Sequence, residues 1–157
     1  MTEHKQVLGT GTITQVALVV RDVRATRAKW AAFLGVDEPP LVDAGDYEVT
    51  QTTVHGQPDP EASCTMAFFD IAPGMQLELI EPNGKPSAWQ DFLDSHGEGV
   101  HHLAFGVKDT DAKLAAVTAE YGWPVLQRGR YGDGSGQYAY IGSSPDLKVD
   151  IETLESF

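Results

Sequence analysis

Four polar side chains occur at matching places in this chain, and together they have the chemistry of a metal site. Gln15 and His102 occupy corresponding positions in two similar segments, and Glu78 and Glu152 do so in two others. One imidazole, one amide oxygen and two carboxylates suit a divalent cation of borderline hardness, such as Zn²⁺, Ni²⁺, Co²⁺ or Mn²⁺. Two carboxylates without a cation would repel each other on a partly apolar face. The sequence therefore predicts one divalent metal ion on these four residues.

The elements that must position these residues belong to an internal repeat. Residues 15–23 align without a gap against 102–110, and residues 77–81 align against 151–155. Alternate residues of a strand share a face, so the apolar row of each segment is expected to pack on helices. The four polar side chains then point to the opposite, concave side.

Each half of the chain has the pattern β-α-β-β-β, which predicts an α+β fold. Between the repeated segments the sequence predicts two strands in each half: Tyr47 to Val54, Ser63 to Ile71, Val125 to Arg130, and Gln137 to Ile141. The two long helices are expected to begin and end at capping residues: Asp22 and Asp109 as N-caps, Gly35 and Gly122 as C-terminal stops.

The chain is expected to form one structural domain made of four segments. These are an N-terminal tail (1–12), a first βαβββ module (13–81), a linker (82–98) and a second βαβββ module (99–157). The linker contains a predicted short helix from Ser87 to His96. The tail has no counterpart in the second half and is a candidate for disorder.

Composition excludes several classes of protein. The chain has 157 residues, with 41% hydrophobic and 22% charged residues, which is typical of a globular protein. No apolar run approaches a membrane span, and no export signal precedes the first module, so a cytoplasmic location is expected. A formal charge of −12 disfavours nucleic acid as a partner. The single cysteine, Cys64, excludes an intramolecular disulfide and a Cys-rich zinc site, and is interpreted as a small apolar residue.

Several other residues have a structural or solvated interpretation. His101 is out of register with Gln15 and is interpreted as structural, whereas surface positions are expected for His4, His55 and His96. Tyr138 and Tyr140 share a face and either line the concave side or pack in the core. Arg128 and Arg130 flank the expected cleft, where either a solvated face or an anion contact explains them.

On these residues the chain resembles the vicinal oxygen chelate superfamily, from about residue 13 to 155. This superfamily includes glyoxalase I, methylmalonyl-CoA epimerase, extradiol dioxygenases and antibiotic-resistance binding proteins. The resemblance implies a cupped, mostly antiparallel sheet with helices on its outer face. It also implies a divalent metal held by the first and last strands of each module, and a homodimer.

Within the superfamily the residues point in two directions. The segments 86–93 and 97–105 are similar to methylmalonyl-CoA epimerase, whereas the ligand order Gln, Glu, His, Glu is similar to glyoxalase I. The epimerases place a catalytic Glu near the start of the third strand, where this chain has Ser63-Cys64-Thr65-Met66. The nearest carboxylate there is Glu61.

The resemblance implies a metal-dependent epimerase or isomerase that moves a proton alpha to a carbonyl through a metal-bound enediolate. Glu152 is the expected base, and Glu78 a second acid or base. The expected partner is a small molecule, either an acyl-CoA or a thiohemiacetal-like compound. Two alternatives remain open: a glyoxalase I-like lactoylglutathione lyase, and a non-catalytic small-molecule binding protein. An extradiol dioxygenase ranks lower because only one well-placed histidine is present.

Overall fold

The computed structural model describes residues 3–157, which form a ten-stranded mixed sheet with five helices. The strands are β1 (Ile13–Val19), β2 (Val42–Asp43), β3 (Thr53–Val54), β4 (Gln57–Pro58), β5 (Cys64–Ala72), β6 (Met75–Pro82), β7 (Gly99–Gly106), β8 (Val125–Arg130), β9 (Gly136–Ile141) and β10 (Asp150–Ser156). The helices are α1 (Val23–Leu34), α2 (Tyr47–Thr50), α3 (Ala88–His96), α4 (Thr110–Tyr121) and α5 (Ser144–Leu147). The predicted α+β class is confirmed.

The two repeated halves meet at the centre of the sheet. The strand order is β2-β5-β6-β1-β7-β10-β9-β8-β3-β4, and β1 pairs antiparallel with β7. Each of these central strands also pairs in parallel with the last long strand of its own half, β1 with β6 and β7 with β10. The four strands that carry the predicted ligands are therefore neighbours.

The predicted division of the strands into two faces is confirmed. Leu18 and Leu79 pack in the cluster that lies under α1, and Leu103 and Ile151 pack in the cluster that lies under α4. The alternate residues, such as Ala17, lie in a separate cluster on the concave side. Burial of these alternating rows holds one helix against the outer face of each half.

The linker helix α3 differs from the other long helices because it packs on the concave side. It begins where expected, since the Ser87 hydroxyl accepts a hydrogen bond from the Gln90 N–H at 3.0 Å. Trp89 is only 3% exposed and packs with Val19 and Tyr140. The helix therefore forms part of the cup wall.

The predicted strand from Tyr47 to Val54 is wrong over most of its length. Tyr47–Thr50 forms the short helix α2, and only Thr53–Val54 is extended. The edge beside β5 is already taken by β2. The following segment therefore crosses to the other half, where β3 pairs with β8.

The two long helices receive their N-terminal hydrogen bonds in different ways. Asp22 caps α1 as predicted, because its side chain accepts from the Ala25 N–H at 3.0 Å. Asp109 makes no such bond, and the prediction that its side chain caps α4 is wrong. Glu155 of β10 caps α4 instead, since its carboxylate accepts from the Asp109 N–H at 2.7 Å and from the Thr110 hydroxyl at 2.8 Å.

The N-terminal tail contacts the second half of the chain. Val7 and Leu8 pack against the cluster that contains Phe105 and Trp123. Residues 1 and 2 lie outside the described residues. Across residues 3–157 no helix combines the length and apolar character needed to cross a membrane.

Candidate metal centre

The four predicted ligands meet on the concave side of the sheet. Their relative exposures lie between 0% and 5%. His102 Nε2 lies 2.9 Å from Glu152 Oε2, 3.4 Å from Glu78 Oε2 and 3.3 Å from Gln15 Oε1. One ligand atom from each of Glu78, His102 and Glu152 lies within 4.8 Å of the others. The structure thus brings all four predicted residues to one buried point.

The Gln15 amide can present either its oxygen or its NH₂ group to the cluster. The end of the amide that faces the cluster lies 3.0 Å from Oε2 of both Glu78 and Glu152. With no cation, the amide NH₂ in this position would donate to both carboxylates. With a cation, the amide oxygen would occupy the position, and four acceptors would converge. The donor set therefore fits a divalent ion, whose charge the two carboxylates balance.

The buried charges of the cluster strongly influence one another. Burial alone lowers the pKa of His102, but the charges and hydrogen bonds of Glu152 and Glu78 outweigh it and raise this pKa to about 10. Burial and the charge of Glu152 raise the pKa of Glu78, which the hydrogen bond with His102 partly offsets. A proton on His102 therefore competes with a cation for these carboxylates.

His101 lies directly behind the His102 ring. The two Nδ1 atoms are 2.8 Å apart, and His101 is only 2% exposed. Burial, and then the charge of His102, lower the pKa of His101 well below its ordinary value, so its ring is neutral and accepts. His102 then carries a proton on Nδ1, and its Nε2 faces the carboxylates. The structural interpretation of His101 agrees with this position, which orients the imidazole.

A cavity of about 600 Å³ extends from the cluster to the surface. Its inner wall is aromatic, with Phe68, Trp89, Tyr138 and Tyr140 among the lining residues. The Trp89 indole N–H donates to the Tyr140 hydroxyl at 2.9 Å. Burial, followed by the charges of Glu152 and Glu78, raises the pKa of Tyr140 well above its ordinary value. The two tyrosines both line the cup and pack in the core.

The cavity lacks a carboxylate at the position expected for a second base. The buried Cys64 thiol lines this part of the wall, and burial, followed by the charge of Glu78, raises its pKa. Glu61 lies on the surface instead, where its carboxylate is 3.9 Å from the Lys85 ammonium group. Asp43 and Asp133 line the cavity but are exposed.

Sequence reasoning missed two features of this site. The sequence places Trp89 in the predicted linker helix without a role in the site, yet its indole lines the cavity. Phe68 was predicted only as a strand residue, although it pairs across the sheet with Glu78. Strand alternation could have placed Phe68 on the cup, but the position of α3 is not visible in its own sequence pattern.

The chain belongs to the glyoxalase/bleomycin resistance protein/dioxygenase superfamily, also called the vicinal oxygen chelate superfamily, whose sequence model matches residues 14–140. This match covers most of both halves and agrees with the curled sheet. An uncharacterized protein, YqjC of Bacillus subtilis (strain 168), is 29% identical over 102 residues, which are 65% of this chain and 72% of that protein.

Solved structures of similar fold include methylmalonyl-CoA epimerases. The Streptomyces coelicolor epimerase in complex with 2-nitronate-propionyl-CoA has a TM-score of 0.65 and 25% identity, covering 92% of this chain and 94% of that one. The Mycobacterium tuberculosis epimerase has a TM-score of 0.65 and 18% identity, covering 99% and 93%. A hypothetical protein from Bacillus halodurans has a TM-score of 0.64 and 22% identity, covering 93% and 94%.

Proposed function

We propose that this chain is a divalent-metal-dependent isomerase or epimerase that moves a proton alpha to a carbonyl group. The observation that carries the proposal is the convergence of four buried potential ligands, Gln15, Glu78, His102 and Glu152, beside a cavity open to a small molecule. A non-catalytic binding protein would have no need of two carboxylates at the inner end of its cavity, where burial is costly.

Gln15, Glu78, His102 and Glu152 would hold the metal ion. When bound, the ion would supply Lewis-acid stabilisation of negative charge on a substrate oxygen. His101 keeps the His102 ring in the required tautomer through the contact between their Nδ1 atoms at 2.8 Å. The apolar wall around Phe68 and Trp89 excludes water from the reacting atoms.

Glu152 is the proposed base. Its carboxylate faces the cavity and takes the proton from the carbon alpha to the carbonyl, while the C–H electron pair moves toward the carbonyl oxygen. The same carboxylate can return the proton to the neighbouring carbon. Glu78 also lines the cavity and is the proposed second acid or base.

Epimerisation of an acyl-CoA is the first candidate reaction. Its support is the similarity to solved methylmalonyl-CoA epimerases, one of them in complex with a nitronate-bearing CoA thioester. Two-base epimerisation needs an acid or base on the face of the carbon opposite Glu152. In the described chain Cys64 lines the wall where the second carboxylate was expected, so this role would fall to Glu78.

A glyoxalase I-like isomerisation of a thiohemiacetal is the second candidate. The observation in its favour is the presence of Glu78 beside Glu152 in the predicted ligand set. This reaction transfers a proton between adjacent carbons, and one carboxylate on one face is enough for it. A homodimer and a cytoplasmic location stay predictions, which light scattering and cell fractionation would test.

Elemental analysis of untagged, chelator-free protein tests the metal first. We expect about one divalent ion per chain in the wild type and its loss in Glu152→Ala. The metal-loaded protein is then incubated in D₂O with methylmalonyl-CoA or with the thiohemiacetal of methylglyoxal and glutathione. Mass spectrometry follows incorporation of deuterium at the carbon that bears the mobile hydrogen.

The matched control is Glu155→Gln, because Glu155 lies on the same strand but reaches the N-terminus of α4. At neutral pH it should retain the metal and the exchange, whereas Glu152→Gln should lose exchange. Full exchange by metal-loaded Glu152→Gln would contradict the assignment of the base. Absence of metal after reconstitution with Zn²⁺, Ni²⁺, Co²⁺ and Mn²⁺ would favour the binding-protein alternative.

A further inference from the structure

Tyr140 occupies a special place relative to the proposed base. In the pairing of β9 with β10, Tyr140 is directly opposite Glu152. Side chains of such cross-strand pairs lie close together on one face, and both of these line the cavity. A substrate atom within reach of Glu152 is therefore also near the phenol ring of Tyr140.

The hydrogen bonding of Tyr140 leaves one proton free to be donated. The indole N–H of Trp89 can only donate, so at 2.9 Å it engages the Tyr140 oxygen as an acceptor. Tyr140 is 2% exposed, and its hydroxyl donates to no acceptor within residues 3–157. A buried donor without an acceptor is costly, and a ligand in the cavity would satisfy it.

The neighbouring Tyr138 has a different arrangement. Its hydroxyl accepts from the Gln127 amide at 2.9 Å. Gln127 is itself fixed, since its oxygen accepts from the Ala88 N–H at 2.8 Å. Position distinguishes the two tyrosines, because Tyr140 is paired with Glu152 across the strands whereas Tyr138 is paired with Leu154.

The internal repeat supports a chemical purpose for this hydroxyl. The residue opposite Glu78 in the first half is Phe68, which stands where Tyr140 stands in the second half. Both rings fill the wall of the cup, and only the one beside Glu152 has a hydroxyl. Packing alone would be met by a phenylalanine at both positions.

We propose that the Tyr140 hydroxyl donates a hydrogen bond to the substrate oxygen that gains negative charge when Glu152 removes the adjacent proton. The C–H bond breaks, its electron pair forms the carbon–carbon double bond of an enolate, and the carbonyl π electrons move to the oxygen. The proton stays on Glu152 until it returns to carbon, and the phenol proton stays on Tyr140. This role rests on the proposed function.

Binding of a stable oxyanion tests the role without turnover. Propane-2-nitronate is a planar anion whose oxygens imitate an enolate, and its affinity for metal-loaded protein is measured by calorimetry. Hydrogen bonds to charged groups are stronger than neutral ones, so Tyr140→Phe should weaken binding by about 10- to 100-fold. Elemental analysis and circular dichroism of each variant verify that metal and fold are retained.

Tyr121→Phe is the matched control, because it removes the same hydroxyl from a side chain that lies outside this cavity and is 47% exposed. It should bind the nitronate like the wild type. The inference is overturned if the wild type binds the nitronate and metal-loaded Tyr140→Phe binds it equally well. If the wild type neither binds the nitronate nor exchanges deuterium, the proposed function fails, and this role fails with it.

Discussion

Binding of a divalent ion should release about one proton from His102 and should tighten as the pH rises. Glu152 and Glu78 raise the pKa of this imidazole to about 10 despite its burial, so it is protonated in the metal-free protein at neutral pH. A metal ion requires the neutral ring. Neutral pH lies about 3 units below this pKa. Displacing the proton at pH 7 therefore lowers the metal-binding free energy by about 4 kcal/mol.

The dissociation constant for Zn²⁺ should accordingly fall by about tenfold for each pH unit between pH 6 and 9. Calorimetry in buffers of different ionisation enthalpy counts the released protons directly. Glu152→Gln is the informative variant, because Glu152 is the largest cause that raises the His102 pKa. In this variant the metal binds more weakly, and proton release at pH 8.5 should be smaller than in the wild type.

A dissociation constant that changes less than threefold over this range, with no proton released, would refute the reasoning. His102 would then be neutral before the metal binds. The repulsion between the two carboxylates would then be offset by the Gln15 amide without an imidazolium, through hydrogen bonds from its NH₂ group to both at 3.0 Å.

Three further predictions concern the elements that position the site. The Thr110 hydroxyl and the N-terminal N–H groups of α4 lower the pKa of Glu155 to about 2. The hydrogen bonds from these groups to the Glu155 carboxylate therefore stabilise the fold fully above about pH 4.5, and this stabilisation is lost as the pH falls toward 2. The melting temperature of Glu155→Gln should therefore lie below that of the wild type at pH 6, and this gap should shrink by pH 3. Leu79→Ala should lower the free energy of unfolding by about 2 to 5 kcal/mol in urea titrations, because Leu79 is fully buried under α1. Gly132→Ala should displace the loops at the cavity mouth, because a Cβ there would lie 2.9 Å from the Ala44 carbonyl oxygen. Calorimetry should then show a weaker nitronate affinity, and elemental analysis a normal metal content.

The parts of the fold that follow from strand alternation were predictable from the sequence. The repeat of Gln15 with His102 and of Glu78 with Glu152 placed four residues on one side of the sheet, and the structure brings them together. This inference needed only that a strand alternates its faces and that repeated segments fold alike.

Features that depend on the partner of a segment were not predictable in the same way. The segment around Tyr47 has a strand-like composition, but it forms a helix because β2 already occupies the edge that a strand would join. Similarly, Asp109 is a preferred capping residue, yet Glu155 supplies the hydrogen bonds from another strand. Such competition between partners is a tertiary effect that local propensity does not contain.

The duplicated backbone of this protein carries an asymmetric set of side chains around the candidate site. The pairing of β1 with β7 brings equivalent positions to one point, where two identical halves would offer two copies of each ligand. The chain instead has Gln15 at the position equivalent to His102, so that only one side provides an imidazole. The same asymmetry distinguishes Phe68 from Tyr140 beside the two carboxylates. A substrate bound at this point would therefore meet a hydrogen-bond donor next to Glu152 and an apolar ring next to Glu78. This difference favours Glu152 over Glu78 as the proposed base, because negative charge on a substrate oxygen would be stabilised on that side.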